Sequence, residues 1–273
     1  MKDQAAALRD RPMRTELPEV PAESPAIVVG GGKGGVGVSV LATLLASGLA
    51  ASGRRVLLMD ASFNQGNLHV LLGHAPRLTL GSVVAGDAAP EEIVVPVADN
   101  LWLLPAESGA EDLHQLTTMD RARLHVRLAA LMDDYDVTVV DAGTGIESVL
   151  RSVHARATRV VAVATPEPAA LADTYALIKI LSLETPSVPV DVVVNRTLDA
   201  HEAEASWARL EGAADRFLGR TLGRLGSLPE DPSLARAVRK SEGLTLHHAL
   251  AAPLVERLIA SFPEPLAAGR SHS

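Results

Sequence analysis

The feature that most constrains this chain is a series of short, unbroken apolar runs. They read AIVVG (26–30), RVLLMD (55–60), LWLLPA (101–106), VTVVDAG (137–143), RVVAVATP (159–166) and VDVVVNR (190–196). A strand with one solvated face alternates apolar and polar residues; a strand covered on both faces does not. Longer amphipathic stretches at 39–52, 120–134, 169–183 and 202–218 separate the runs. This alternation predicts an α/β fold, a doubly wound and mainly parallel sheet with helices on both faces. Functional groups are then expected at the carboxyl ends of the strands.

Composition narrows the function. The 273 residues, 47% of them hydrophobic, suffice for one large domain and show no internal repeat. A net charge of −8 gives no reason to expect nucleic-acid binding. The absence of cysteine excludes disulfides and thiolate-held metals or iron–sulfur clusters. No apolar run reaches the ~18 residues of a membrane span, and no signal-peptide core is seen, so a soluble cytoplasmic protein is expected. The organisation reads as a helix-capable segment at 1–9, a linker at 10–25 with four prolines, a domain over 26–262 and a disordered tail at 263–273.

The stretch GGGKGGVGVSV (30–40) follows the first apolar run and opens a helical one. From Gly32 it matches the phosphate-loop pattern G-x-x-x-x-G-K-[ST] through Lys33, Gly34, Gly35, Val36 and Gly37, then departs: Val38 stands where the pattern has lysine, and Ser39 follows. Glycines let backbone N–H groups converge on an anion at a helix N-terminus, and Ser39 can offer its hydroxyl to Mg²⁺. Lysine occurs only at positions 2, 33, 179 and 240, which makes Lys33 within this loop notable. Asp60 and Asp141 each close an apolar run, where a carboxylate is costly without a ligand. Asp141, followed by Gly143 and Gly145, suits a Walker B position holding the Mg²⁺ shell. Either carboxylate alone is also compatible with helix capping.

These motifs, KGGVGVS, VLLMDASFNQGNLHVLLG, YDVTVVDAGTGI and ATPEPAALADTYALIKIL, resemble the MinD/ParA family of deviant-Walker P-loop ATPases, and most closely its flagellar branch, FlhG, over about residues 26–250. The resemblance implies ATP or ADP with Mg²⁺ as ligand and a homodimer sandwiching the nucleotide, with Lys33 reaching the partner's phosphates. It places Asn195 and Arg196 at the adenine-recognition position, with the turn Pro229–Asp231 closing over the base. It also exposes two departures. Val38 replaces the second loop lysine, and Ser62 replaces the second aspartate of a D-x-D pair, the one that orients the attacking water. A slow or inactive ATPase is therefore expected. A working ATPase, or a pseudo-ATPase that positions another cargo, remains an open alternative.

Residues 3–9, DQAAALR, match an activation motif that FlhG proteins carry ahead of this domain. The resemblance implies a helix that docks on FlhF, a signal-recognition-type GTPase. In it Asp3 and Ala5 complete the motif, Gln4 helps order the partner's catalytic site, and Leu8 and Arg9 anchor the segment. Flagellar switch proteins or a transcription factor are further partners implied by the family. Relatives often end in an amphipathic membrane-targeting helix, which would hold the protein peripherally at the membrane or cell pole. Residues 244–262 here carry one fixed positive charge, Arg257, and are interrupted by Pro253, so a closing helix packed on the sheet is expected instead.

Overall fold

A computed structural model of the chain describes residues 24–62, 66–106 and 117–262. The expectations for the segment at 3–9, for the linker as far as residue 23 and for the tail at 263–273 lie outside these residues. The described chain forms an eight-stranded sheet: β1 (Ala26–Gly31), β2 (Val56–Asp60), β3 (Val95–Ala98), β4 (Leu101–Leu104), β5 (Val137–Thr144), β6 (Arg159–Ala164), β7 (Val190–Thr197) and β8 (Gly223–Pro229). The order is β3-β4-β2-β5-β1-β6-β7-β8, and every pairing is parallel except β3 with β4. The doubly wound, mainly parallel sheet is the one expected from the apolar runs.

The longer helices are α1 (Val38–Ala51), α4 (Thr118–Asp133), α5 (Ile146–Arg156), α6 (Pro168–Glu184) and α7 (Ala200–Leu218); shorter ones are α2 (Leu68–Leu71), α3 (Leu80–Ala85), α8 (Pro232–Lys240) and α9 (Ala252–Ala260). β1 is buried along its whole length, and its alternate residues feed two cores. Ile27 and Val29 face Leu41, Leu44 and Leu45 of α1, while Val28 faces the core containing Val149, Leu177 and Ile178.

Two strands escaped the sequence reading, and both are edges. β3 contains Pro96, which cannot donate a ladder hydrogen bond, and β8 alternates buried Leu225 and Leu228 with exposed Arg224 and Ser227. β3 lies in the apolar stretch IVVPVA (93–98) but its residues alternate between partly buried and exposed, and β8 presents no continuous apolar run, because an edge strand is not covered as a central one is.

The chain is fastened from Ser24, two residues earlier than the composition suggested. The Ser24 N–H donates to Asp133 Oδ1 at 3.2 Å and its hydroxyl to the Met132 carbonyl at 3.0 Å. Asp133 also pairs with the buried guanidinium of Arg156, whose Nη1 donates to the Ala129 carbonyl at 2.5 Å. The first residues of the domain are thus tied to the C-terminal ends of α4 and α5.

At the other end, residues Leu244–Ala251 form a 3-10 helix that runs into α9, with Pro253 in the first turn where its missing N–H costs nothing. Leu254, Val255 and Leu258 are buried against α1 and β8. The segment therefore closes the core, as its low basic content suggested. Among the described residues no helix is long and apolar enough to cross a membrane. Leu258→Ala is expected to cost about 2–5 kcal/mol, read as a lower urea midpoint; an unchanged midpoint would show that α9 is a detachable appendage.

Candidate functional site

The loop between β1 and α1 is built by its glycines. Gly37 precedes α1 at φ 92°, a conformation that disfavours any side chain, and a Cβ there would lie 2.4 Å from Asn195 Nδ2. A Cβ on Gly32 would lie 2.2 Å from the Asp173 carbonyl oxygen, so the loop lies directly against the backbone of α6. Lys33, Gly34 and Gly35 are exposed, whereas Val36 is buried.

Val38, at the position of the missing lysine, is 4% exposed and belongs to the core beneath the loop with Val36, Leu41 and Leu44. The substitution thus does more than delete a charge: it adds an apolar contact that holds the first turn of α1 down. No pattern in the sequence announces that orientation.

The loop is braced from across the sheet. Asn195, at the carboxyl end of β7, donates from Nδ2 to the Val36 carbonyl at 2.8 Å, and its Oδ1 accepts from the Arg196 N–H at 3.0 Å. Val36 and Asn195 are 159 positions apart, and the sequence carries no signal for this brace. Arg196 has φ 59° and pairs with Glu230 at 3.5 Å; Asp231 caps α8 by accepting from the N–H groups of Ser233 at 2.7 Å and Leu234 at 3.0 Å. Asn195, Arg196 and the Pro229–Asp231 turn are therefore brought together beside the phosphate loop. Glu167, at the start of α6, joins them. Its carboxyl is held below its ordinary value chiefly by the Thr165 hydroxyl, with Arg196 and Lys33 adding positive charge.

Asp60, the last residue of β2, and Asp141, three residues before the end of β5, are register partners, each 1% exposed. Asp60 accepts from Ser62 N–H at 3.1 Å and Leu68 N–H at 3.1 Å, so the capping reading is in part realised at the start of α2. Burial, followed by the Asp141 charge, pushes its pKa up to about 7 against the pull of those hydrogen bonds. Burial also raises Asp141, opposed by hydrogen bonds from the Ser39 hydroxyl and Gly143 N–H. Ser62 directs its hydroxyl toward Gly143, which has φ 64°. Gly145 follows at φ 102° and donates from its N–H to the Gly31 carbonyl at 2.9 Å.

Ser39, Asp141 and Asp60 thus converge on one edge of the loop. This donor set fits Mg²⁺, which takes one or two protein oxygens and completes its shell with phosphate and water. Consistent with that division, no cluster of three or more His, Asp or Glu residues among the described ones forms a self-sufficient metal cage.

The fold and this constellation define a domain of the P-loop NTPase fold, and comparison with known proteins agrees. A family model described as "AAA domain" matches residues 24–186. The chain is 36% identical over 219 residues to the antiactivator FleN of Pseudomonas aeruginosa, covering 80% of this chain and 78% of that one. It is 30% identical over 215 residues to the flagellum site-determining protein YlxH of Helicobacter pylori, covering 78% and 72%. Among solved structures, the septum site-determining protein MinD of Pyrococcus horikoshii, complexed with Mg-ADP, superposes with a TM-score of 0.70 at 23% identity, over 87% of this chain and 98% of that one. The chain belongs to the MinD/ParA family of P-loop proteins, in its flagellar FlhG branch.

The two raised carboxyls set a pH dependence. The folded protein holds protons that the unfolded chain releases near pH 4, so the stability associated with them is present below that pH and is lost as pH rises through about 7. In EDTA, the melting temperature should fall between pH 6 and 8, and Asp60→Asn should flatten that fall. Equal slopes in the two proteins would mean that Asp60 is ionised throughout.

Proposed function

We propose that the protein regulates flagellar number or placement as a P-loop scaffold with weak or lost ATP hydrolysis. Its effector is the 3–9 segment, which acts on an FlhF-type GTPase. The observation that carries the reading is an intact cradle with Val38 turned into the core at the lysine position. Similarity to FleN and YlxH supports the flagellar setting. Losing a charge-assisted phosphate contact costs about 1.5–3 kcal/mol, or about 10- to 150-fold in affinity. Ser62 offers no carboxylate to orient a water, which affects the chemical step separately.

The backbone N–H groups of the loop, Ser39, and Lys33 on its exposed turn are left to hold ATP or ADP with Mg²⁺ at Asp60 and Asp141. In a homodimer Lys33 would face the partner's phosphates, while Asn195 and Arg196 would flank the adenine. Val38→Lys should tighten nucleotide binding by about tenfold or more, because a lysine stem can follow the same apolar path and free its ammonium toward phosphate. Turnover should recover only when Ser62→Asp is added. Wild-type turnover equal to that of an intact MinD-type enzyme would refute the loss of catalysis.

The effector arm is tested separately. In the 3–9 segment Leu8 supplies apolar burial, Arg9 a charge contact, and Gln4 a polar group aimed at the partner's nucleotide site, with Asp3 and Ala5 completing the helix start. Ordering seven residues costs on the order of 7–14 kcal/mol of backbone entropy, so binding should be modest and sensitive to single changes. Gln4→Ala should depress stimulation of the GTPase more than binding, and Leu8→Ala should weaken binding itself. Full stimulation by a chain lacking residues 1–9 would end this assignment.

A further inference from the structure

The amino ends of β6, β7 and β8, opposite the phosphate loop, surround a cavity of about 350 Å³. Its walls include Arg159 at the start of β6, Ser187 and Val188 between α6 and β7, Asp191 in β7, and Arg220 and Thr221 between α7 and β8. The charges do not cancel. Asp191 is buried and committed to Arg159, whose Nη1 donates to its Oδ2 at 2.5 Å. That leaves Arg220, which donates from Nη2 to the Val188 carbonyl, while Nη1 is buried without any hydrogen-bond partner. Partial burial also pushes the guanidinium below its ordinary pKa. Ser187 and Thr221 stand exposed at the rim with their hydroxyls available.

We infer that this cavity is a second ligand site, separate from the nucleotide loop, which binds the oxyanion end of a small phosphorylated or carboxylated molecule on Arg220. Arg220 is only partly buried, and an oxyanion in the cavity can take a charge-assisted hydrogen bond from the part of the guanidinium that faces it, in place of water. Two arginines against one carboxylate give the cavity a local positive charge within a chain whose net charge is −8. The volume lies at the small end of the range for ligand pockets, roughly 300–1,000 Å³, and exceeds what a single water requires. Gly219, in the left-handed conformation at the end of α7, turns the chain so that Arg220 follows directly on the helix.

The test is hydrogen-exchange mass spectrometry on the full chain with sodium phosphate, sodium acetate or sodium chloride at equal ionic strength. Phosphate, acetate or both should give saturable protection over 186–191 and 219–223 that chloride does not, the responding anion naming the class. Arg220→Gln should weaken that protection by about tenfold or more and leave any phosphate effect at 31–39 unchanged. Arg220→Lys, which keeps the charge but not the planar fork, serves if the glutamine variant does not fold, and should bind measurably more weakly than wild type. Protection confined to 31–39, protection equalled by chloride, or protection indifferent to both Arg220 variants would overturn the inference and leave Arg220 as a clasp on the Val188 carbonyl.

Discussion

Everything at the phosphate-loop end depends on the burial of the central parallel strands. With helices on both faces, the central strands carry few polar side chains, and those that face the loop gather toward their carboxyl ends. Gly31 is therefore followed by an anion cradle, Asp60 and Asp141 sit side by side as register partners, and Asn195 reaches the loop from the end of β7. The same burial explains why the two carboxylates resist ionisation. They are held by backbone N–H groups in a dry setting, without a lysine beside them.

Val38 gives this arrangement its particular character. A lysine at that position faces two demands, since its stem must leave the core and its ammonium must find phosphate. Valine has only the first environment to satisfy, and it packs with Val36 and Leu41 under the loop. Together with the Asn195 brace, this gives a cradle held in shape by apolar packing and a neutral hydrogen bond. Those contacts involve no triphosphate, which accords with the scaffold role proposed above.

The central strands and four of the five longer helices were legible because continuous apolar runs and helical periodicity are direct imprints of burial; α5, which starts within two residues of the Asp141 loop, was not read. The glycine loop, Asp60, Asp141 and Ser62 were legible because their spacing is local. What could not be read was set by tertiary contact. β3 and β8 are edges, with Pro96 and Arg224 breaking any buried pattern. The direction of the Val38 side chain and the partner of Asn195 depend on surfaces assembled from distant parts of the chain. The latching of Ser24 to Asp133 spans 109 positions and leaves no trace in composition.

That latch fixes the point at which the preceding residues join the domain. Ser24 sits at the amino end of β1, one strand length, roughly 20 Å, from the phosphate loop at the other end. Fifteen steps separate Arg9 from Ser24, so Arg9 can lie no farther than roughly 50 Å from that anchor, whatever path the chain takes. On the function proposed above, a GTPase bound within this radius would meet the segment at a concentration set by the connecting chain rather than by the cell. The anchor stands at the far pole from the nucleotide, so the two ends of the sheet can be occupied by different molecules at once.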